Sequence, residues 1–106
     1  VKWKLIVRAK ALRELEDAAD WYGIQRAELK AEFIASVKSS LTNLAKNPRL
    51  NARRLKKRDI RWLRPERFPY RLVYEIRKTE SIIVVIAVLH SSRNDAHWHR
   101  RLGEQP

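Results

Sequence analysis

Tyr70-Arg71-Leu72-Val73-Tyr74-Glu75-Ile76-Arg77, Lys78-Thr79-Glu80-Ser81, then Ile82-Ile83-Val84-Val85-Ile86-Ala87-Val88-Leu89 reads as two strands joined by a turn, the centre of a sheet. The first part alternates. Tyr70, Leu72, Tyr74 and Ile76 fall on one side of an extended chain, and Arg71, Val73, Glu75 and Arg77 on the other. That is the pattern of a strand. Residues 78–81 turn the chain. The run 82–89 has no polar side, which places it as a strand buried on both faces near the middle of a sheet. It is far too short to span a bilayer.

Before this pair, Pro65 and Pro69 bracket a tight connection, and residues 58–64 ahead of it read as another strand. Residues 49–58 have no apolar periodicity and many positive charges, so they read as a loop. At the start, Trp3, Leu5 and Val7 alternate with Lys4, Ile6 and Arg8, predicting a short strand over 3–8. Leu12, Leu15, Ala19 and Tyr22 recur at helical spacing, with Glu16, Asp17 and Asp20 elsewhere on the wheel; Gly23 marks the end of that helix or a break. A second helix is predicted over 27–46. Leu29, Phe33, Val37, Leu41 and Leu44 form its stripe, Ile34 widens it, and Asn47-Pro48 stops it. Asn94 or Asp95 caps a last short helix ending near Leu102, with Gly103 beyond. The whole is an α+β fold in one domain, residues 1–106: an N-terminal strand, an antiparallel helical hairpin, a three-stranded antiparallel meander and a short C-terminal helix. The hairpin packs on one face of the sheet, because its apolar stripes need a cover.

Charge narrows the class of partner. The net charge is +12, which draws a small domain to polyanions. Between Arg49 and Arg71 there are ten Lys or Arg against two acids, whereas six of the twelve acids lie between residues 11 and 32. The middle of the chain therefore builds a basic face. The absence of cysteine excludes a disulfide scaffold, a thiol nucleophile and a Cys-based zinc site, and fits a reducing cytoplasm. Lys2 and Lys4 interrupt the apolar start, so no secretory leader is read, and the expected location is cytoplasmic with no membrane partner.

Arg71 and Arg93 are candidates for a phosphate clamp, since guanidinium is planar, permanently charged and bidentate. The plainer alternatives are a solvated strand face for Arg71 and a cap or surface ion pair for Arg93. His90, at the end of the apolar strand, is a candidate acid or base, or else a hydrogen-bonded structural residue. Two adjacent strands would thus deliver basic groups to one site. Arg53, Arg54, Lys56, Lys57, Arg58 and Arg61 form a polyanion-binding run, with Trp62, Phe68 and Tyr70 placed to stack on bases. The bland version is a basic loop beside core aromatics. His97 and His99 do not share a helix face, so neither a metal site nor a cofactor is expected.

Several of these segments resemble the ParE/RelE toxin superfamily. The likeness lies in Phe68-Pro69-Tyr70-Arg71-Leu72-Val73-Tyr74-Glu75, and in the ending Ala87-Val88-Leu89-His90-x-x-Arg93-Asn94-Asp95-x-x-x-Trp98. It extends to Ala11-Leu12-x-x-Leu15-x-x-Ala18-x-x-Trp21-Tyr22 and to the closing Asn47-Pro48, in the right order over nearly the whole chain. The resemblance implies the toxin half of a bacterial type II toxin–antitoxin module. RelE-like members cut messenger RNA in the ribosome with basic residues on the sheet and usually a C-terminal tyrosine. Arg71 and Arg93 match two of the family's arginines, but the tyrosine region holds Trp98, which has no ionisable hydroxyl.

The ending is more similar to the ParE-like, plasmid-stabilisation branch, which acts on DNA gyrase and traps its cleaved DNA complex. The resemblance therefore implies a gyrase inhibitor that is not an enzyme. The alternative is a ribosome-dependent mRNA endoribonuclease with Arg71, His90 and Arg93 as catalytic candidates, and a general nucleic-acid-binding module is a third reading. The expected target surface comprises Arg53, Arg54, Lys56, Lys57, Arg58, Arg61, Arg71, His90, Arg93 and Trp98. The resemblance also implies a cognate antitoxin, an acidic and partly disordered segment, expected on Leu15, Trp21, Tyr22 and Phe33, in a hetero-oligomer with the toxin.

Overall fold

The computed structural model describes residues 2–55, 57–93 and 95–103, with His97 described by its backbone alone. The order is β1 (Lys4–Val7), α1 (Ala9–Gln25), α2 (Ala27–Lys46), β2 (Ile60–Leu63), β3 (Tyr70–Arg77), β4 (Ile82–His90) and α3 (Ala96–His99), followed by a 3-10 turn at Arg100–Gly103. One sheet has the strand order β1-β4-β3-β2. The meander β2-β3-β4 is antiparallel, as its short connections require, and β1 joins β4 in parallel. The helical hairpin carries the chain from one edge of the sheet to the other.

The two faces of the sheet have separate cores. Leu72, Tyr74 and Ile76 of β3 meet Ala11, Ala18 and Ala19 of α1 and Phe33, Val37 and Leu44 of α2. Val73 faces the other way, where Ile60, Ile86, Ala87, Leu89 and Trp98 form a second cluster under the C-terminal segment. The register explains why β4 is apolar throughout. Val73 pairs with Ala87 and Tyr74 with Val85, so Ile86 is an extra residue in a β-bulge. Ile86 and Ala87 then both enter the second cluster, while Val85 and Val88 enter the first.

Three expectations are corrected. Gly23 neither ends nor breaks α1; the helix runs on to Gln25, and extended Arg26 (φ −167°) makes the joint. Gly23 instead lies at the crossing with α2, where an added Cβ would be 3.4 Å from Lys30 Cβ. Leu12 lies on the exposed side of α1, because Ala11 and Ala18, seven residues apart, make the buried line. Asp95 stands at the N-cap position of α3 without capping it by its side chain, since its carboxylate is engaged elsewhere. Asn94, the other proposed cap, lies outside the described residues.

Candidate functional site

Strand alternation fixes where each basic side chain goes. Arg71 shares the face of Val73 and Glu75, away from the helices, and is only 9% exposed. Its Nη1 donates to Asp95 Oδ1 at 2.7 Å, and its Nη2 donates to the Arg93 carbonyl. The guanidinium carbon lies 5.5 Å from the centre of the Trp62 ring. Trp98 Nε1 donates to the same Asp95 oxygen at 3.1 Å. These hydrogen bonds from Arg71 and Trp98 hold the Asp95 carboxyl below its usual range.

A second set lies along the same face. Arg58 grips Glu75 with two bonds of 2.7 and 2.9 Å and donates to the Leu102 carbonyl at 2.8 Å, while Arg77 reaches Glu75 at 3.0 Å. The Arg58 bond, against the opposing effect of burial, is the chief reason the Glu75 carboxyl is held down. Arg101 in turn grips Glu14 of α1 at 2.6 and 2.7 Å, and Glu14 accepts the Val88 amide at 3.1 Å. The guanidinium groups of Arg58, Arg71 and Arg101 therefore strap the C-terminal segment over the second core.

His90 and Arg93 belong to a different place. His90 pairs with Tyr70, whose side chain is on the helix side, and the two rings meet edge-on at 5.3 Å. His90 and Arg93 are both exposed. They line a cleft of about 340 Å³ beside α1, together with Glu14, Asp17, Trp21 and Tyr70. Burial raises the Tyr70 hydroxyl above its ordinary value, with the Arg93 charge opposing. His90 Nδ1 contacts Ser92 Oγ at 2.8 Å. The strands thus deliver Arg71 to one face and His90 to the other, and the expected single basic site is split in two.

The basic middle is largely engaged in structure. Arg61 binds Asp59 at 2.8 Å and the carbonyls of Arg49 and Asn51 at 2.8 and 2.6 Å. Arg54 stacks on Trp62 at 4.0 Å, and Arg53 Nε donates to the Leu55 carbonyl at 2.8 Å. Arg53, Arg54 and Lys57 are exposed at this edge; Lys56 lies outside the described residues. Trp98 is 1% exposed, so the indole expected at a target surface is a core side chain. Phe33, expected at the antitoxin surface, is fully buried among Tyr22, Phe68 and Tyr70. Leu15 and Tyr22 are half-buried and Trp21 is exposed. Glu14 was missed as a structural residue, because in sequence it looks like one more acid on the polar side of α1. Among the described residues no three His, Asp or Glu side chains converge as metal ligands would, and no helix is long and apolar enough to cross a membrane.

Residues 5–95 match the family described as the ParE toxin of the type II toxin–antitoxin system parDE. The chain belongs to the ParE toxin family. Solved structures agree on the fold. A chromosomal ParDE toxin–antitoxin system from P. aeruginosa aligns at a TM-score of 0.69 and 18% identity, covering 84% of this chain and 96% of that one. The isolated E. coli RelE toxin aligns at 0.65 and 20% identity, covering 94% and 95%. The RelBE2 toxin–antitoxin complex from Mycobacterium tuberculosis aligns at 0.59 and 22% identity, covering 85% and 99%. No curated protein matches the sequence significantly. The ParE-family domain is thus the scaffold on which both basic sites are built.

Proposed function

We propose that this ParE-family toxin inhibits DNA gyrase by binding it, without cutting RNA, and is neutralised by a cognate antitoxin. The observation that carries the reading is the engagement of Arg71. A phosphoryl-transfer site needs a proton-transfer group and cations converging on one phosphate. Here the Arg71 guanidinium is held by Asp95 and the Arg93 carbonyl, on the face opposite to His90. The family match over residues 5–95 supports the same choice, and Trp98 supplies no acid or base where RelE-like toxins usually carry tyrosine. The surface offered to gyrase and its DNA is the exposed basic edge, Arg53, Arg54 and Lys57, with His90 and Arg93 at the other side of the strap. A supercoiling assay with purified toxin tests this. Inhibition that antitoxin relieves is expected. No inhibition at several-fold molar excess, from a preparation that arrests growth, would return the choice to a RelE-type endoribonuclease.

The antitoxin is proposed as an acidic, partly disordered segment that orders over the helical hairpin and part of the sheet, with half-buried Leu15 and Tyr22 and exposed Trp21 within its reach. The solved relatives include toxin–antitoxin complexes, which supports such a partner. Limited proteolysis of the complex should show the segment protected. A segment cut as fast in the complex as when free would remove the proposal.

A further inference from the structure

The cleft beside α1 places Trp21 and Asp17 next to His90 and Arg93, and gyrase binding gives no role to the first two. We infer that it takes one unstacked nucleotide of a single strand, with the base on Trp21, the phosphate at Arg93 and His90, and Asp17 facing the base edge. The inference does not rest on the gyrase reading, because it names a ligand for the cleft whatever protein the toxin acts on.

Four observations converge. First, Trp21 is 55% exposed and lines the cleft, so a flat apolar surface faces solvent where a base could stack. Its neighbour Tyr22 meets it edge-on at 5.1 Å, which holds the indole without covering it. Second, Arg93 and His90 line the same cleft; both are exposed, and Arg93 has no ion-pair partner among the described residues. Third, Glu14, which also lines the cleft, is neutralised by the two-bond grip of Arg101, so it does not repel a phosphate as a free carboxylate would. Fourth, Asp17 also lines the cleft, is exposed, and has no ion-pair partner among the described residues. A carboxylate accepts hydrogen bonds only. It therefore favours an amino donor such as that of cytosine over thymine, whose N3–H donor is flanked by two carbonyl oxygens that a carboxylate repels. An acidic peptide would also meet Arg93 and could reach Trp21, so competition by a polyanionic peptide is one of the outcomes of the test.

The test is fluorescence anisotropy with labelled single-stranded DNA at physiological ionic strength, comparing oligo-dC, oligo-dT and an abasic strand of equal length. Oligo-dC should bind about tenfold tighter than the abasic strand, and tighter than oligo-dT. Trp21→Ala should abolish the advantage over the abasic strand. Asp17→Asn should remove the preference for dC over dT, and Arg93→Ala should weaken all three strands together. Both Trp21 and Asp17 are exposed, so these variants should keep the wild-type circular dichroism. Equal binding of the abasic strand would overturn the inference, as would a base advantage that survives Trp21→Ala but is lost in Trp62→Ala. Displacement by polyglutamate at equal charge would assign the cleft to an acidic peptide instead.

Discussion

Asp95 accepts from both the Arg71 guanidinium and the Trp98 indole, so one carboxylate joins β3 to the start of the C-terminal segment. Its side chain is 56% exposed, and solvent weakens the pair. Arg71→Ala should therefore cost about 1–2 kcal/mol, mostly from the orphaned Arg93 carbonyl and lost packing on Trp62. In urea titrations Arg71→Ala and Asp95→Ala should not add, because they remove one interaction; full additivity would show that the pair is not coupled. Acid should act through the same groups. The carboxyls of Glu75 and Asp95 are held below their ordinary values. Their stabilisation is complete above the unfolded carboxyl pKa, about 4, and is lost as pH falls through the lower folded values. Glu75→Gln should flatten the acid limb of a stability–pH curve, and an unchanged limb would assign acid unfolding to other carboxylates.

Trp98 shows how much of α3 depends on one side chain. A four-residue helix has no stability of its own, and the segment is held by the buried indole with the Arg58, Arg71 and Arg101 bonds. Trp98→Ala should cost about 3–5 kcal/mol by thermal or urea unfolding, whereas Trp98→Phe keeps most of the packing and loses only the bond to Asp95. At the helix crossing, Gly23→Ala should stabilise by about 0.5 kcal/mol, since the backbone is helical and the new Cβ meets Lys30 at a tolerable distance. A loss of more than that would mean Lys30 cannot move aside. Periodicity made most elements legible. The alternation of 70–77 and the stripe on 27–46 set β3 and α2 at their observed bounds. Less legible was whatever depends on a distant partner. Arg71 has the look of a free cation on a strand, because its acceptor lies 24 residues on. The parallel pairing of β1, the bulge at Ile86 and the Glu14–Arg101 grip are likewise tertiary choices among locally acceptable ones. Gly23 was misread because a glycine at a helix crossing and one at a helix end look alike in sequence.

At the scale of the whole molecule, a net charge of +12 is divided between uses. Part of it fastens the strap, and another part is exposed, including Arg53, Arg54 and Lys57 at the β2 edge and Arg93 at the α1 cleft. Removing residues 94–106 should expose Ile86, Leu89 and Val73 together and give an aggregating protein, readable by light scattering. A monodisperse truncated chain would show that the second core does not need its cover. Gyrase poisoning is the claim on which the functional reading turns, and the linear DNA trapped by gyrase in the presence of purified toxin measures it most directly. Linear DNA should rise with the ratio of toxin to gyrase and fall when antitoxin is added. No linear DNA at several-fold excess, from toxin that arrests growth and truncates messenger RNA on ribosomes, would contradict it.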